Sequence, residues 1–154
     1  MRFLENTIPP PLLGGIFALV MWFIARHFPL NIGFNIILQY ILIIIFCLSA
    51  AILLVASALR FRSVKTTVNP LKPETSSSLV SSGVYRFTRN PMYLAMVLLL
   101  CAWGMYLGNL WVFTFVFLYG AYLDRFQIQP EERALAALFG EEFSAYKRNV
   151  RRWL

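Results

Sequence analysis

Phe34-Asn35-Ile36-Ile37-Leu38-Gln39-Tyr40-Ile41-Leu42-Ile43-Ile44-Ile45-Phe46-Cys47-Leu48-Ser49-Ala50-Ala51-Ile52-Leu53-Leu54-Val55-Ala56-Ser57-Ala58-Leu59 is an unbroken apolar stretch without a charged side chain. An α-helix rises 1.5 Å per residue, so the roughly 30 Å hydrocarbon core of a bilayer needs about 20 such residues. This stretch is long enough to cross. Three further apolar blocks lie at residues 12–28, 91–107 and 110–123. They are shorter, which local bilayer thinning or snorkelling side chains accommodate. In lipid every backbone polar group must be paired internally, so blocks of this kind form helices. The fold expected is therefore all-α: a polytopic membrane helix bundle with four transmembrane helices, one domain over residues 1–154.

Composition agrees. Of the 154 residues, 59% are hydrophobic and 14% are charged, against about 45–50% and about 25% in soluble domains. The formal net charge is +7, but the basic residues flank apolar blocks. Anionic headgroups explain that placement better than nucleic acid, which is excluded as a partner. Membrane lipids are the expected surroundings. Cys47 and Cys101 lie inside apolar blocks with no ligand spacing and read as small buried hydrophobes. The first block is expected to be retained rather than cleaved: Arg2 is offset by Glu5, three prolines come next at 9–11, and the run ends in Arg26-His27.

Lys and Arg set the orientation. The loop at residues 60–90 carries Arg60, Arg62, Lys65, Lys72, Arg86 and Arg89, and the tail carries Arg125, Arg133, Lys147, Arg148, Arg151 and Arg152. The connections at 29–33 and 108–109 carry neither residue type. With four spans, both termini and the long loop fall on one side, which the positive-inside rule makes cytoplasmic. A bacterial inner membrane is the expected location. The tail at residues 130–148 reads as a cytoplasmic or interfacial helix, with Leu135, Leu138, Phe139, Phe143 and Tyr146 at helical spacing and Gly140 as a possible break.

Nearly all polar chemistry is thus collected on one face. Asn90-Pro91 is a strong helix start, since Asn suits the cap and Pro the first helical position. The free N–H groups of that helix end, with Arg86 and Arg89, could seat a carboxylate or phosphate. The plainer reading is a capped span whose arginines hold headgroups. After the fourth block, Pro130 again suits a first helical position, so the helix dipole favours Glu131 and Glu132 in the first turn. Alternatively, that acidic pair binds a cationic or hydroxyl-bearing ligand. A single histidine, His27, sits on the far side, so neither a His-based metal site nor a Ser-His-Asp triad is available, and no metal ligands are assigned. No ionisable residue lies in the middle of a block, which argues against an ion pathway.

Gly83-Val84-Tyr85-Arg86 followed by Arg89-Asn90-Pro91-Met92-Tyr93 resembles the Gly-x-Tyr-Arg…Arg-His-Pro-x-Tyr signature of the isoprenylcysteine carboxyl methyltransferase family and its phospholipid methyltransferase relatives. Glu131-Glu132…Leu135…Phe139-Gly140…Phe143…Tyr146…Val150…Arg152 resembles that family's second signature, and Thr67-Val68-Asn69-Pro70 its loop. The resemblance implies methyl transfer from S-adenosylmethionine, leaving S-adenosylhomocysteine, to a lipophilic or small acceptor: a carboxylate, a thiol or an amine. It implies cofactor binding by Gly83, Tyr85, Arg89, Asn90, Pro91, Tyr93, Glu131 and Glu132, with Arg89, Asn90 and Glu131 catalytic. Asn90 stands where the family pattern has histidine. It can cap and hydrogen-bond but cannot carry a proton at pH 7, which bears on activity towards an isoprenylcysteine carboxylate. The two rival readings are a nicotinamide-dependent membrane reductase of the sterol-reductase type and a non-catalytic membrane scaffold.

Overall fold

The computed structural model describes residue 5, residues 7–64 and residues 78–154. The loop motif Thr67-Val68-Asn69-Pro70, with Lys65 and Lys72, lies outside the described residues. The elements are α1 (Pro10–His27), α2 (Ile36–Val64), a 3-10 turn (Gly83–Arg86), α3 (Pro91–Leu107), α4 (Val112–Leu123), a π turn (Asp124–Ile128) and α5 (Gln129–Asn149). Among the described residues there is no strand, only an isolated antiparallel bridge between Asn31 and Asn109.

The elements arise from local sequence. Prolines open α1 and α3, where a missing N–H costs nothing. Between such starts the chain holds apolar residues of high helical tolerance. Two helices, Pro10–His27 and Ile36–Ser63, are long and apolar enough to cross a membrane, and Pro91–Leu107 is a shorter apolar helix. The expected ends shift slightly: α1 begins at Pro10 rather than 12, and α2 runs to Val64 rather than 59.

α3 is the centre of the bundle, packed on α2, α1 and α4. The core joins Leu13 and Met21 of α1, Tyr93 and Leu100 of α3, Val112, Val116, Tyr119 and Leu123 of α4, and Ile128. Most of α2 faces outward, with Ile37 67% and Ile52 64% exposed. An apolar surface of this extent is not stable in water and fits lipid. Cys47 lies exposed on this face of α2, not buried as its apolar context suggests, while Cys101 is half-buried.

The bundle has two chemically different ends. At one, the two short connections meet: Ile32 N–H donates to Gly108 O (3.0 Å) and Leu110 N–H to Leu30 O (2.8 Å). Asn109 Nδ2 donates to Phe28 O at 2.8 Å, and Gln39 Nε2 donates to Met105 O. The other end gathers the start of α1, the end of α2, the 3-10 turn, the π turn and α5. There Tyr119 Oη donates to Pro10 O (3.0 Å) and Gln127 Nε2 to Ile8 O (2.9 Å).

The approach of α3 to α4 depends on Gly104. A Cβ there would meet Val112 Cγ2 and Phe113 Cζ at 3.2 Å. Gly104→Val is expected to destabilise the bundle by about 1–3 kcal/mol through overpacking, read as a lower melting temperature in detergent.

α4, the π turn and α5 are one continuous helical path, which corrects the reading of Pro130 as a helix start. Ile128 and Gln129 have helical angles (φ −68°, ψ −47° and φ −63°, ψ −43°). A proline inside a helix lacks the donor for the carbonyl four residues back, and its ring presses on that carbonyl. The turn just before Pro130 widens accordingly: Gln129 N–H reaches Asp124 O, five residues back. The dipole argument for Glu131 and Glu132 therefore falls away, since no free helix start precedes them. Gly140 (φ 47°, ψ −115°) breaks α5 in two, a left-handed conformation that glycine adopts without Cβ strain.

Candidate functional site

The site lies at the charged end, where four segments converge. Gly83 starts the 3-10 turn at φ +66°, and that turn buries Tyr85. The Tyr85 ring meets Phe61 of α2 edge-on at 5.6 Å. Arg60 Nε donates to Ser82 Oγ at 2.8 Å, tying α2 to the loop. Arg86 and Phe87 point outward, while Thr88 and Asn90 are buried.

Asn90 precedes α3 as expected, but its side chain makes no cap hydrogen bond. Instead Nδ2 donates to Arg152 O at 2.9 Å. Thr88 Oγ1 donates to the same carbonyl (3.2 Å) and accepts from Asn90 N–H (3.2 Å). Arg89 N–H donates to Arg151 O at 3.0 Å, and Arg89 Nη1 donates to Val150 O (3.0 Å) and Lys147 O (3.2 Å). Three consecutive residues thus bind the extended strap at Val150–Arg152 by its backbone.

Side-chain charges close the same junction. Arg89 Nη2 pairs with Glu132 Oε1 at 2.8 Å, both side chains 10% exposed. Arg152 Nη2 pairs with Glu132 Oε2 at 2.7 Å and Arg152 Nη1 with Asp124 Oδ1 at 3.0 Å. Glu132 therefore receives an arginine on each oxygen. Although burial opposes its charge, these two arginines win and hold its carboxyl below the ordinary value. The hydrogen bonds that Arg152 donates to Glu132 raise Arg152 in turn.

Glu131 behaves oppositely. Tyr93 Oη donates to Glu131 Oε2 at 3.2 Å. Burial dominates and pushes this carboxyl up to about 7, with the Glu132 charge adding to the rise and the Tyr93 hydrogen bond opposing it. Tyr85, raised chiefly by burial, feels both Glu131 and Tyr146. Tyr146 Oη donates to Tyr85 O at 2.7 Å, so α5 holds the 3-10 turn. Beside this contact a groove of about 390 Å³ opens between Leu79–Arg86 and the second half of α5, lined by Ser81, Arg86, Glu142, Tyr146 and Asn149.

Of the residues singled out by sequence, the structure gathers Tyr85, Arg89, Asn90, Tyr93, Glu131 and Glu132 at one junction. Pro91 is buried in the first turn of α3, and Gly83 lies further out, against Arg60. The adjacent acids divide: Glu132 is neutralised internally, and among the described residues Glu131 has only Tyr93 as a side-chain partner at hydrogen-bond distance. Sequence reasoning gave Thr88, Asp124 and Arg152 no individual role. Their signal was weak, because Thr88 and Asp124 read as a loop residue and a span end.

A family model described as phospholipid methyltransferase matches residues 38–142, from the start of α2 to beyond the Gly140 break. An uncharacterised protein of Haemophilus influenzae is 43% identical over 63 residues, which is 41% of this chain and the whole of that protein. No solved structure matches.

Proposed function

The chain belongs to the phospholipid methyltransferase family, and from that premise we propose that it transfers a methyl group from S-adenosylmethionine to a lipophilic or small acceptor at the cytoplasmic membrane face. The observation that carries this is the divided acid pair: one carboxylate locked by two arginines, its neighbour presented beside two tyrosines. We further read α3 and α4 as spans. The two uncharged connections meet at one end, so four crossings place the 60–90 loop, α5 and both termini together on the cytoplasmic side.

The residues suit the cofactor. Arg89 is nearly buried, yet among the described residues its Nε has no acceptor. A buried donor left unpaired is costly, and a carboxylate oxygen of the cofactor would satisfy it. The cofactor's amino group and ribose hydroxyls would take Glu131. Tyr85 and Tyr93 supply aromatic faces suited to adenine or to a cation. When bound, S-adenosylmethionine supplies a methyl group on a cationic sulfur. The protein's part is alignment and exclusion of water, which need no strong acid. Arg89 and Asn90 hold the strap over the junction, and Tyr93 orients Glu131. An amine or thiol acceptor must shed a proton when methylated, and Glu131, near neutrality, is the group placed to accept it.

Vesicles carrying the purified protein, given S-adenosylmethionine labelled in its methyl group, should incorporate label into lipid extract or an added small acceptor. Tyr93→Phe, which removes the hydroxyl beside Glu131, should lower the rate about tenfold through lost orientation. Oxidation of NADPH without methyl transfer would replace this reading with the reductase.

A further inference from the structure

The π turn decides which glutamate is locked and which is left for a ligand. From Leu123, steps of four residues in an unbroken α-helix would bring residues 127 and 131 onto one line. The π turn inserts one extra residue, and each residue of shift rotates the remainder of the helix by about 100°. Leu123, Ile128 and Glu132 then share one buried line, with Gln127 buried beside it. Glu132 consequently meets Arg89 and Arg152, and Glu131 meets Tyr93.

Asp124, the first residue of the widened turn, is where this register is fastened. Its backbone carbonyl accepts the Gln129 N–H that defines the turn. Its carboxylate accepts from Gln129 Nε2 at 3.0 Å, closing the same five-residue step through side chains. The same carboxylate receives Arg152 Nη1 at 3.0 and 3.2 Å, and Arg152 also holds Glu132. One acid thus ties the turn to the strap and, through Arg152, to the locked glutamate. We propose that Asp124 is a positioning residue for methyl transfer, fixing the π-turn register that commits Glu132 to the arginines and presents Glu131 to the ligand. This rests on the methyltransferase reading only for the reaction it serves; the geometric claim stands apart from it.

Carboxyl carbon NMR of the detergent-purified protein, with Glu131 assigned through Glu131→Gln, tests the register without any ligand. The groups facing Glu131 are Tyr93 of α3, Tyr85 of the 3-10 turn and Glu132 of its own helix. In the unsubstituted protein Glu131 should titrate near 7. In Asp124→Asn it should fall by at least about one unit towards the ordinary carboxylate range, because an unwidened helix carries Glu131 onto the buried line, towards Arg89 and Arg152 in place of Glu132. Gln129→Leu, which keeps every charge, should move it in the same direction and remains informative if Asp124→Asn fails to fold. S-adenosylhomocysteine affinity should drop at least tenfold in both variants. Unchanged Glu131 titration in the folded variants overturns the proposal. If the unsubstituted protein binds no S-adenosylhomocysteine, the methyltransferase reading fails, and the titration alone decides the role of Asp124.

Discussion

Arg89→Ala is expected to cost about 3–5 kcal/mol of stability, the scale for removing one partner from a buried ion pair. The Arg89 and Glu132 side chains are each 10% exposed, so water cannot replace what is lost. The substitution also strips donors from Val150 O and Lys147 O, leaving the strap with Thr88, Asn90 and the Arg89 backbone. Glu132 would keep Arg152, which sets the upper bound. Arg89→Lys should recover little, because an ammonium cannot serve two carbonyls and a carboxylate in the guanidinium's planar geometry. Thermal unfolding in detergent, with the far-ultraviolet helical signal as readout, checks this. A loss below about 1 kcal/mol would mean the pair is solvated and the strap is held by other groups.

Glu131→Gln should do the reverse: stabilise the fold at alkaline pH while abolishing function. The Glu131 carboxyl lies at about 7 in the folded chain and near the ordinary value of about 4.3 when unfolded. Between those values the unfolded chain is ionised and the folded chain holds a proton. The folded state thus binds more protons, and stability falls as pH rises towards about 7. Below the ordinary value both states are protonated and the cost vanishes. The penalty at pH 8 amounts to about 3–4 kcal/mol, which the neutral amide removes. Glu131→Gln should therefore match the unsubstituted protein at pH 4, exceed it at pH 8, and lose methyl transfer by about 100-fold or more as a proton acceptor disappears. Equal stabilities at both pH values would show that Glu131 is solvated.

The helical class was legible because α2 states it without ambiguity: an apolar run that long has one arrangement in lipid. Its end was harder. Residues Arg60–Ser63 read as a loop on charge, but Arg60 turns back to Ser82 and the helix continues beneath it. The residues of the site were legible as types, since charged groups are scarce and clustered at one end. Their pairing was not. Arg89 meets Glu132 across 43 residues and Glu132 meets Arg152 across 20, and no local periodicity encodes such distances. Asn90 followed a sound capping rule and broke it because the strap carbonyl at Arg152 competes for its amide. Pro130 misled for a similar reason: proline opens helices, and here it sits inside one that a π turn relaxes. Which of two adjacent glutamates meets the arginines is likewise a choice a linear sequence leaves open.

In the proposed reaction the junction of Tyr85, Arg89, Tyr93 and Glu131 receives S-adenosylmethionine. Calorimetric titration of the detergent-purified, folded protein with S-adenosylhomocysteine, with NADPH as control, tests it most directly. Saturable one-to-one binding of the first, weakened in Glu131→Gln, with no heat from the second, is the predicted result. Binding of neither ligand would contradict the account and leave the chain a membrane scaffold with a methyltransferase fold.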